Sequence, residues 1–223
     1  MNTLMIIWLL IAISFTTYFL ISLVFKKLSV KNLEQALVTA NGLRLLNLKH
    51  LVGILLFGIL FYVLLPELKY LIIDVEIPRL KVLLLFLLTF FLSAYISKLA
   101  VQKHKVQHRA DSHYKFSKIW LYTLIRFGFL FAYEFFFRGV LLQKFLEFNS
   151  LFITIIYCTI LYVLIHIFDS TKEILGAIPF GVILCLFAYY TNSIWYVFLI
   201  HLALSTVYEI SMFYYQTLKI TKS

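Results

Sequence analysis

The sequence predicts an all-α fold: a polytopic transmembrane helical bundle of about seven helices, or eight if an interfacial segment also enters the membrane. Of the 223 residues, 63% are hydrophobic and 13% are charged, and the mean hydropathy is +0.96, well above the range of soluble domains. The apolar residues form runs of roughly 20, the length that crosses a bilayer as a helix. Only helices and closed barrels satisfy every backbone amide within lipid, and these runs lack the alternating pattern of barrel strands.

The apolar runs give the predicted spans in chain order. The first run is long, lacks a basic leader and is followed by Lys26 and Lys27, which favours a retained helix over a cleaved signal peptide. The second is short and ends at Pro66, where a helix would lose its backbone donor. The predicted spans are residues 3–25, 51–66, 80–100, 119–143, 151–168, 174–190 and 194–215.

The loops between the spans indicate the topology. Residues Ser29 to His50 mix leucine with polar side chains, a pattern that suits a helix lying in the membrane interface. This loop and the loop after the third span are rich in Lys and Arg, whereas the loop after the second span balances both signs. Because basic loops stay in the cytoplasm, we expect the N-terminus outside and the C-terminus inside.

A division of the chain follows from these patterns. Residues 1–118 are expected to supply N-terminal transmembrane helices with basic cytoplasmic loops, and residues 119–215 the core that carries the unusual polar residues. Both belong to a single integral membrane domain in this prediction. The compositional bias toward Lys, Ile, Leu and Phe is associated with bacterial proteins, so the expected location is a bacterial cell membrane.

Other interpretations of the charge and of the metal-binding residue types are weaker. The net charge of +10 lies in loops rather than on one folded face, so no nucleic-acid partner is predicted. Cys158 and Cys185 fall inside predicted spans, where they act as small apolar side chains. The histidines of the third loop stand among cations that would repel a metal, so no metal and no cofactor is predicted; these are His104, His108 and His113.

Six ionisable or imidazole side chains remain in or near the predicted spans. A charge at the bilayer centre costs roughly 2.5 to 3.5 kcal/mol on insertion scales, so such residues are candidates for function. Packing offers an alternative, because an ion pair one helical turn apart or an interhelical hydrogen bond also stabilises a bundle. The six are Arg126, Glu134, Arg138, His166, His201 and Glu209.

Three segments that contain four of these residues occur in an order that resembles a known family. They are Tyr-Glu-Phe-Phe-Phe-Arg-Gly at 133–139, Tyr-Val-Leu-Ile-His at 162–166, and Asn-Ser-Ile-Trp followed by His-Leu-Ala-Leu-Ser up to residue 205. They resemble the CPBP family of CAAX-type proteases and bacteriocin-processing or self-immunity proteins, whose motifs are Glu-Glu-x-x-x-Arg, Phe-x-x-x-His and His-x-x-x-Asn or Asp. The likeness covers about residues 119–212.

The resemblance implies a set of site residues. It places catalytic roles on Glu134, His166 and His201, with Arg138 in support. In the family, a glutamate and a histidine activate a water that attacks a peptide carbonyl, and the other histidine and an amide stabilise the oxyanion.

Three positions depart from the family motifs. Tyr133 replaces the glutamate that activates water, Tyr162 replaces Phe, and Ser205 replaces Asn. A tyrosine that ionises near pH 10 is a poor base at neutral pH, whereas Ser205 still offers one donor. Glu209, two turns after His201, is a second carboxylate that could stand in for the missing glutamate.

Two functions therefore follow from the resemblance. The first is a CAAX-protease-like intramembrane endopeptidase that cleaves a membrane-associated or secreted-peptide substrate. The alternative is a catalytically inactive CPBP-type scaffold that acts in bacteriocin self-immunity or regulates a membrane protein. The expected partners are the lipid bilayer and a peptide, a protein substrate or a membrane protein. A third interpretation, a small transporter, lacks the repeat symmetry that transporters commonly show.

Overall fold

The computed structural model of the chain describes residues 3–104 and 118–218, and these residues form helices without a β-strand. Five of the α-helices in the described residues are long. The long ones are α1 (Thr3–Lys27), α6 (Leu80–His104), α9 (Leu151–Ile165), α10 (Thr171–Thr191) and α11 (Ile194–Leu218). The all-α fold class predicted from the apolar runs is confirmed.

The segment between α1 and α6 differs from the predicted interfacial helix. It begins with the short α2 (Leu33–Val38), which Asn32 caps by accepting a hydrogen bond from Gln35 N at 3.1 Å. A continuous helix then runs through α3 (Gly42–Gly53), a π-helical segment (Ile54–Ile59) and α4 (Leu60–Leu64). The second membrane helix thus starts nine residues earlier than residue 51. It takes in the polar residues that the hydropathy pattern left outside.

Helix α4 ends where Pro66 was predicted to end it. Pro66 begins a 3-10 turn (Pro66–Leu68), and α5 (Tyr70–Ile73) follows. Two residues of α11 hold this connection: Trp195 Nε1 donates to Ile72 O at 2.9 Å, and the Tyr196 hydroxyl donates to Glu76 O at 2.8 Å.

The centre of the bundle is a second continuous helix. It consists of α7 (Ile119–Glu134), a π-helical segment (Phe135–Leu141) and α8 (Leu142–Leu146). Residues 132–142 are all buried, so this part of the helix is enclosed by protein on every side. A π-helical segment inside an α-helix is frequently found at functional sites.

Within residues 3–104 and 118–218, six helices are long and apolar enough to cross a membrane, fewer than the seven spans predicted. They are Leu4–Lys27, Gly42–Leu64, Leu80–Val101, Leu151–Phe168, Thr171–Thr191 and Ile194–Tyr214. The predicted span 119–143 forms a helix but is not among the six. Glu134 and Arg138 are compatible with this position, because they lie within the stretch 132–142 that is enclosed by protein.

The remaining helices enclose the central one. Helix α11 lies along α6 and also contacts α7, while α9 lies along α10. Ser170 and Glu173 start α10 with a reciprocal capping box, and Asn192 ends it in the left-handed conformation at φ 48°. The tight connection from α10 to α11 brings the Asn-Ser-Ile-Trp segment against the rest of the bundle. The fold thereby places α7, α9 and α11, the three motif-bearing helices, around one region.

Candidate active site

Glu134 joins α7 to α11 through a short hydrogen bond. Its Oε1 lies 2.5 Å from Nδ1 of His201, and both side chains are buried, Glu134 completely. An ionised carboxylate can only accept, so the hydrogen belongs to Nδ1 and the other ring nitrogen, Nε2, is left for a further partner. A carboxylate on Nδ1 fixes the ring orientation and stabilises the imidazolium when the ring takes up a proton.

Arg138 supplies the counter-charge. Its Nη1 lies 3.1 Å from the second carboxylate oxygen of Glu134, one helical turn away. The guanidinium is 1% exposed and stands over the ring of Tyr162 at 4.1 Å and near that of Phe137 at 5.7 Å. With a neutral His201 the group carries no net charge, which is what allows two ions to stay in a dry interior.

His166 is held by its own helix. Its Nδ1 lies 2.8 Å from the backbone oxygen of Tyr162, and a carbonyl can only accept, so Nδ1 again carries the hydrogen. The ring centre of Tyr162 lies 4.5 Å from that of His166, and this contact also restricts the orientation of the imidazole. No hydrogen bond to Nε2 of His166 or of His201 is formed by the described residues. Both histidines present an unprotonated nitrogen when the rings are neutral.

Tyr133 stands between the two histidines. Its ring centre is 6.3 Å from that of His166 and 6.0 Å from that of His201, and both contacts are edge-on. The residue is 3% exposed, and its hydroxyl has no hydrogen-bond partner among the described residues. The tyrosine therefore occupies the middle of the site where the family carries a glutamate.

The convergence of α9 and α11 resolves a difference in predicted depth. The predicted boundaries placed His166 near the end of its span and His201 in the first third of its own. In the structure both rings reach Tyr133, because α9 ends at Ile165 and a 3-10 turn (His166–Phe168) follows. The cluster unites Tyr133, Glu134, Arg138, Tyr162, His166 and His201.

Two predicted residues stand apart from this cluster. Ser205 lies half-buried on α11, one turn after His201, and the described contacts of the cluster do not include it. Glu209 does not stand in for the missing glutamate, since it faces Arg126 at 2.9 Å and accepts a hydrogen bond from the Tyr122 hydroxyl at 2.9 Å. Its carboxylate serves a separate ion pair between the same two helices.

Two phenylalanines that pack against the site could not be identified from the sequence. Phe180 of α10 packs edge-on against His201 at 5.5 Å, and Phe129 packs against Tyr133 at 5.6 Å. In a chain with 23 phenylalanines, no spacing distinguishes these two from core residues. Their roles depend on which helices become neighbours.

The other titratable candidates do not form a metal centre in the part of the chain that the structure describes. No group of three or more His, Cys, Asp or Glu side chains there could hold a metal ion. Within the third-loop histidines, His108 and His113 lie outside the described residues, and the side chain of His104 is likewise outside them. Cys158 and Cys185 are buried free thiols.

Comparison with known proteins relates the segment that contains the cluster to a protein family. Residues 115–207, a little under half of the chain, match the family model described as Type II CAAX prenyl endopeptidase Rce1-like. Searches of curated proteins and of solved structures found no match. The matched segment contains every residue of the cluster, and together with the six apolar helices it identifies an integral membrane protein. The segment that carries the site is therefore similar to the CPBP family of CAAX-type endopeptidases.

Proposed function

We propose that the protein is an intramembrane endopeptidase in which His201, held by Glu134, is the general base. The observation that carries the proposal is the 2.5 Å contact between the Glu134 carboxylate and Nδ1 of His201. Of the two histidines in the cluster, His201 is the one whose Nδ1 faces a carboxylate, so it gains most when it becomes positively charged. His166, whose Nδ1 meets only a carbonyl, is better suited to orient the water.

The reaction then needs only groups of this chain and water. Nε2 of His201 takes one proton of the water while Nε2 of His166 accepts a hydrogen bond from the other. The water oxygen attacks the peptide carbonyl carbon, and the carbonyl electrons move to its oxygen. When the C–N bond breaks, the imidazolium returns its proton to the leaving amine, giving a carboxylic acid and an amine. Arg138, whose Nη1 lies 3.1 Å from the Glu134 carboxylate, provides its counter-charge.

The substrate class comes from the family. A peptide or protein bound to the membrane, by a prenyl group or by its own apolar segment, would reach a site enclosed by helices from within the bilayer. The basic loops suit a bacterial cell membrane with the N-terminus outside and the C-terminus in the cytoplasm. The bilayer and this peptide are the partners in the proposal.

A cleavage assay with matched variants tests it. The purified full-length protein in liposomes receives an internally quenched peptide with a C-terminal farnesylated cysteine motif, and the same peptide without the farnesyl group. His166→Phe and His201→Phe keep a ring and remove the nitrogens, and both should abolish cleavage. The control His50→Phe changes another buried histidine, which stacks on Phe129 at 4.7 Å, and should leave it intact. Equal cleavage by all variants would contradict the proposal.

A non-catalytic scaffold is the second candidate, and Tyr133 is the observation that favours it. The ring occupies the space between the histidines where the family activates water, and a tyrosine is a poor base at neutral pH. Such a protein would act in bacteriocin self-immunity or regulate a membrane partner through its helices. In this case the two histidine variants keep the cellular immunity or regulatory phenotype at normal protein level, and no peptide is cleaved.

A further inference from the structure

The centre of the site contains an unusual hydroxyl. Tyr133 is surrounded by rings on all sides, yet its O–H makes no hydrogen bond among the described residues. A buried hydroxyl without a partner is destabilising, whereas a phenylalanine of the same shape would not be. The neighbouring positions of this helix show that the site accepts phenylalanine readily, at Phe129, Phe135, Phe136 and Phe137.

The surroundings restrict what the hydroxyl can do. Its ring is held by Phe137 at 4.6 Å, by Phe129 at 5.6 Å and by Tyr162 at 5.9 Å, so the phenol is fixed rather than free to rotate away. The two imidazoles are polar neighbours of the ring, and each has its Nδ1 already engaged. An unpaired donor fixed between two proton acceptors marks a place for a ligand oxygen.

We infer that Tyr133 is a catalytic hydrogen-bond donor, which holds the carbonyl oxygen of the scissile peptide and the oxyanion formed from it. This inference rests on the proposed function. Replacement of glutamate by tyrosine then changes position 133 from proton acceptor to donor, and the base is supplied by His201 alone. Tyrosine hydroxyls are among the groups that form oxyanion holes in other enzymes.

The role is consistent with the proton balance of the reaction. The Tyr133 proton stays on the phenol oxygen throughout, because the hydroxyl donates a hydrogen bond without transferring its hydrogen. The Tyr133 hydroxyl stabilises the negative charge that appears on the carbonyl oxygen, while the positive charge of Arg138 is already paired with Glu134. After the C–N bond breaks, the carbonyl re-forms and the hydrogen bond weakens.

The test is Tyr133→Phe, which removes one oxygen atom and retains the ring contacts. In the farnesyl-peptide cleavage assay, loss of an oxyanion donor should lower kcat by about 100-fold to 1,000-fold. KM and the shape of the pH profile should be unchanged, since the phenol neither binds the remote parts of the substrate nor titrates. The thermal midpoint should not fall, which separates this effect from misfolding.

Three outcomes are decisive. The proposed function stands and the donor role fails if wild type cleaves, His201→Phe does not, and Tyr133→Phe keeps the wild-type kcat. Both fail if wild type and His201→Phe are equally inactive on the farnesylated and unmodified peptides. The donor role is supported if Tyr133→Phe loses kcat alone, and Phe129→Leu, which changes a ring beside it without removing a polar group, loses much less.

Discussion

Two polar clusters connect the same pair of helices, and they differ in how many of their hydrogen-bonding groups remain unpaired. In the inner cluster Glu134 of α7 meets His201 of α11, and in the outer cluster Arg126 of α7 meets Glu209 of α11. Eight residues separate the clusters along each helix, a distance of roughly 12 Å at 1.5 Å per residue. The two helices therefore run antiparallel, with matched polar contacts two turns apart.

The outer cluster is satisfied within itself. Both carboxylate oxygens of Glu209 are engaged, by Arg126 and by the Tyr122 hydroxyl, and the side chains of the ion pair are 20% and 14% exposed. The inner pair is buried, and among the described residues the Tyr133 hydroxyl and the guanidinium nitrogens of Arg138 make no hydrogen bond beyond the ion pair. A fully paired cluster fixes two helices together, whereas a buried cluster with unpaired groups is prepared for a ligand. Polar residues in a membrane bundle thus serve packing or chemistry according to their unused hydrogen-bonding capacity.

The largest effect is expected from Glu134→Gln in the inner cluster. This change leaves Arg138 as a buried cation without a counter-charge, which costs about 3 to 5 kcal/mol. Thermal unfolding in detergent should show a midpoint lower by roughly 10 °C, and cleavage should be lost. Adding Arg138→Met to the same chain should restore most of the midpoint without restoring cleavage. A single variant as stable as wild type would show that the ion pair does not hold the bundle.

Gly53→Ala should affect both clusters at once. A Cβ at this position would lie 2.4 Å from the Phe129 ring, and Phe129 contacts Arg126 at 5.4 Å and Tyr133 at 5.6 Å. Overpacking of a core typically costs about 1 to 3 kcal/mol, and displacement of the ring should also lower kcat. The measurements are thermal unfolding and cleavage on one preparation. Gly176→Ala is the control, because a Cβ there would have no described atom within 4 Å apart from its chain neighbours and its own helix backbone.

Glu209→Gln should be milder than Glu134→Gln, because water reaches the outer pair. Loss of a hydrogen-bonded charge at such a site costs about 1.5 kcal/mol, and Arg126, at 20% exposure, can be hydrated. The midpoint should fall by a few degrees and kcat should not change. If this variant lost cleavage as completely as Glu134→Gln, the distinction between a packing cluster and a chemical cluster would be wrong.

The smallest effect concerns Asp169, three residues beyond His166 and outside the six apolar helices. Burial, followed by the nearby Glu173 carboxylate, raises the pKa of Asp169 to about 6, although the cations Lys49, Lys31 and Arg126 oppose the rise. Because the pKa is raised in the folded state, the protonated form of Asp169 stabilises the fold relative to the ionised form. This contribution to the free energy of unfolding is present in full below pH 3.8 and is lost as the pH rises through 6. Stability should fall by roughly 1 kcal/mol from pH 5 to pH 7.

Asp169→Asn tests that sign. The variant should remove this part of the pH dependence and should be more stable than wild type at pH 7, while the two should differ little at pH 4. Thermal unfolding across pH 4 to 8 measures both. A wild type that becomes more stable between pH 5 and 7, relative to Asp169→Asn, would contradict the direction of the shift.

The family resemblance and the helical fold could be predicted because they depend on local properties of the chain. Hydrophobic runs of membrane length determine where helices form, and the order of Glu134, Arg138, His166 and His201 carries the family motif. The helix boundaries were less accurate, because Gly42–His50 mixes polar residues into a helix whose other end is apolar. Hydropathy alone cannot tell that one side of this stretch, with Gly42, Leu43, Leu46 and His50, is buried by protein.

The amino-acid sequence by itself determined that this is a helical membrane protein with motifs similar to those of the CPBP family and a tyrosine at the position of one glutamate. Only the tertiary structure decided which polar groups meet: Glu209 pairs with Arg126 rather than entering the site, and Tyr133 lies between the two histidines. The reason is physical. Helix formation and membrane insertion depend on residues that are neighbours in sequence, whereas the partner of a buried charge depends on how helices far apart in sequence pack together.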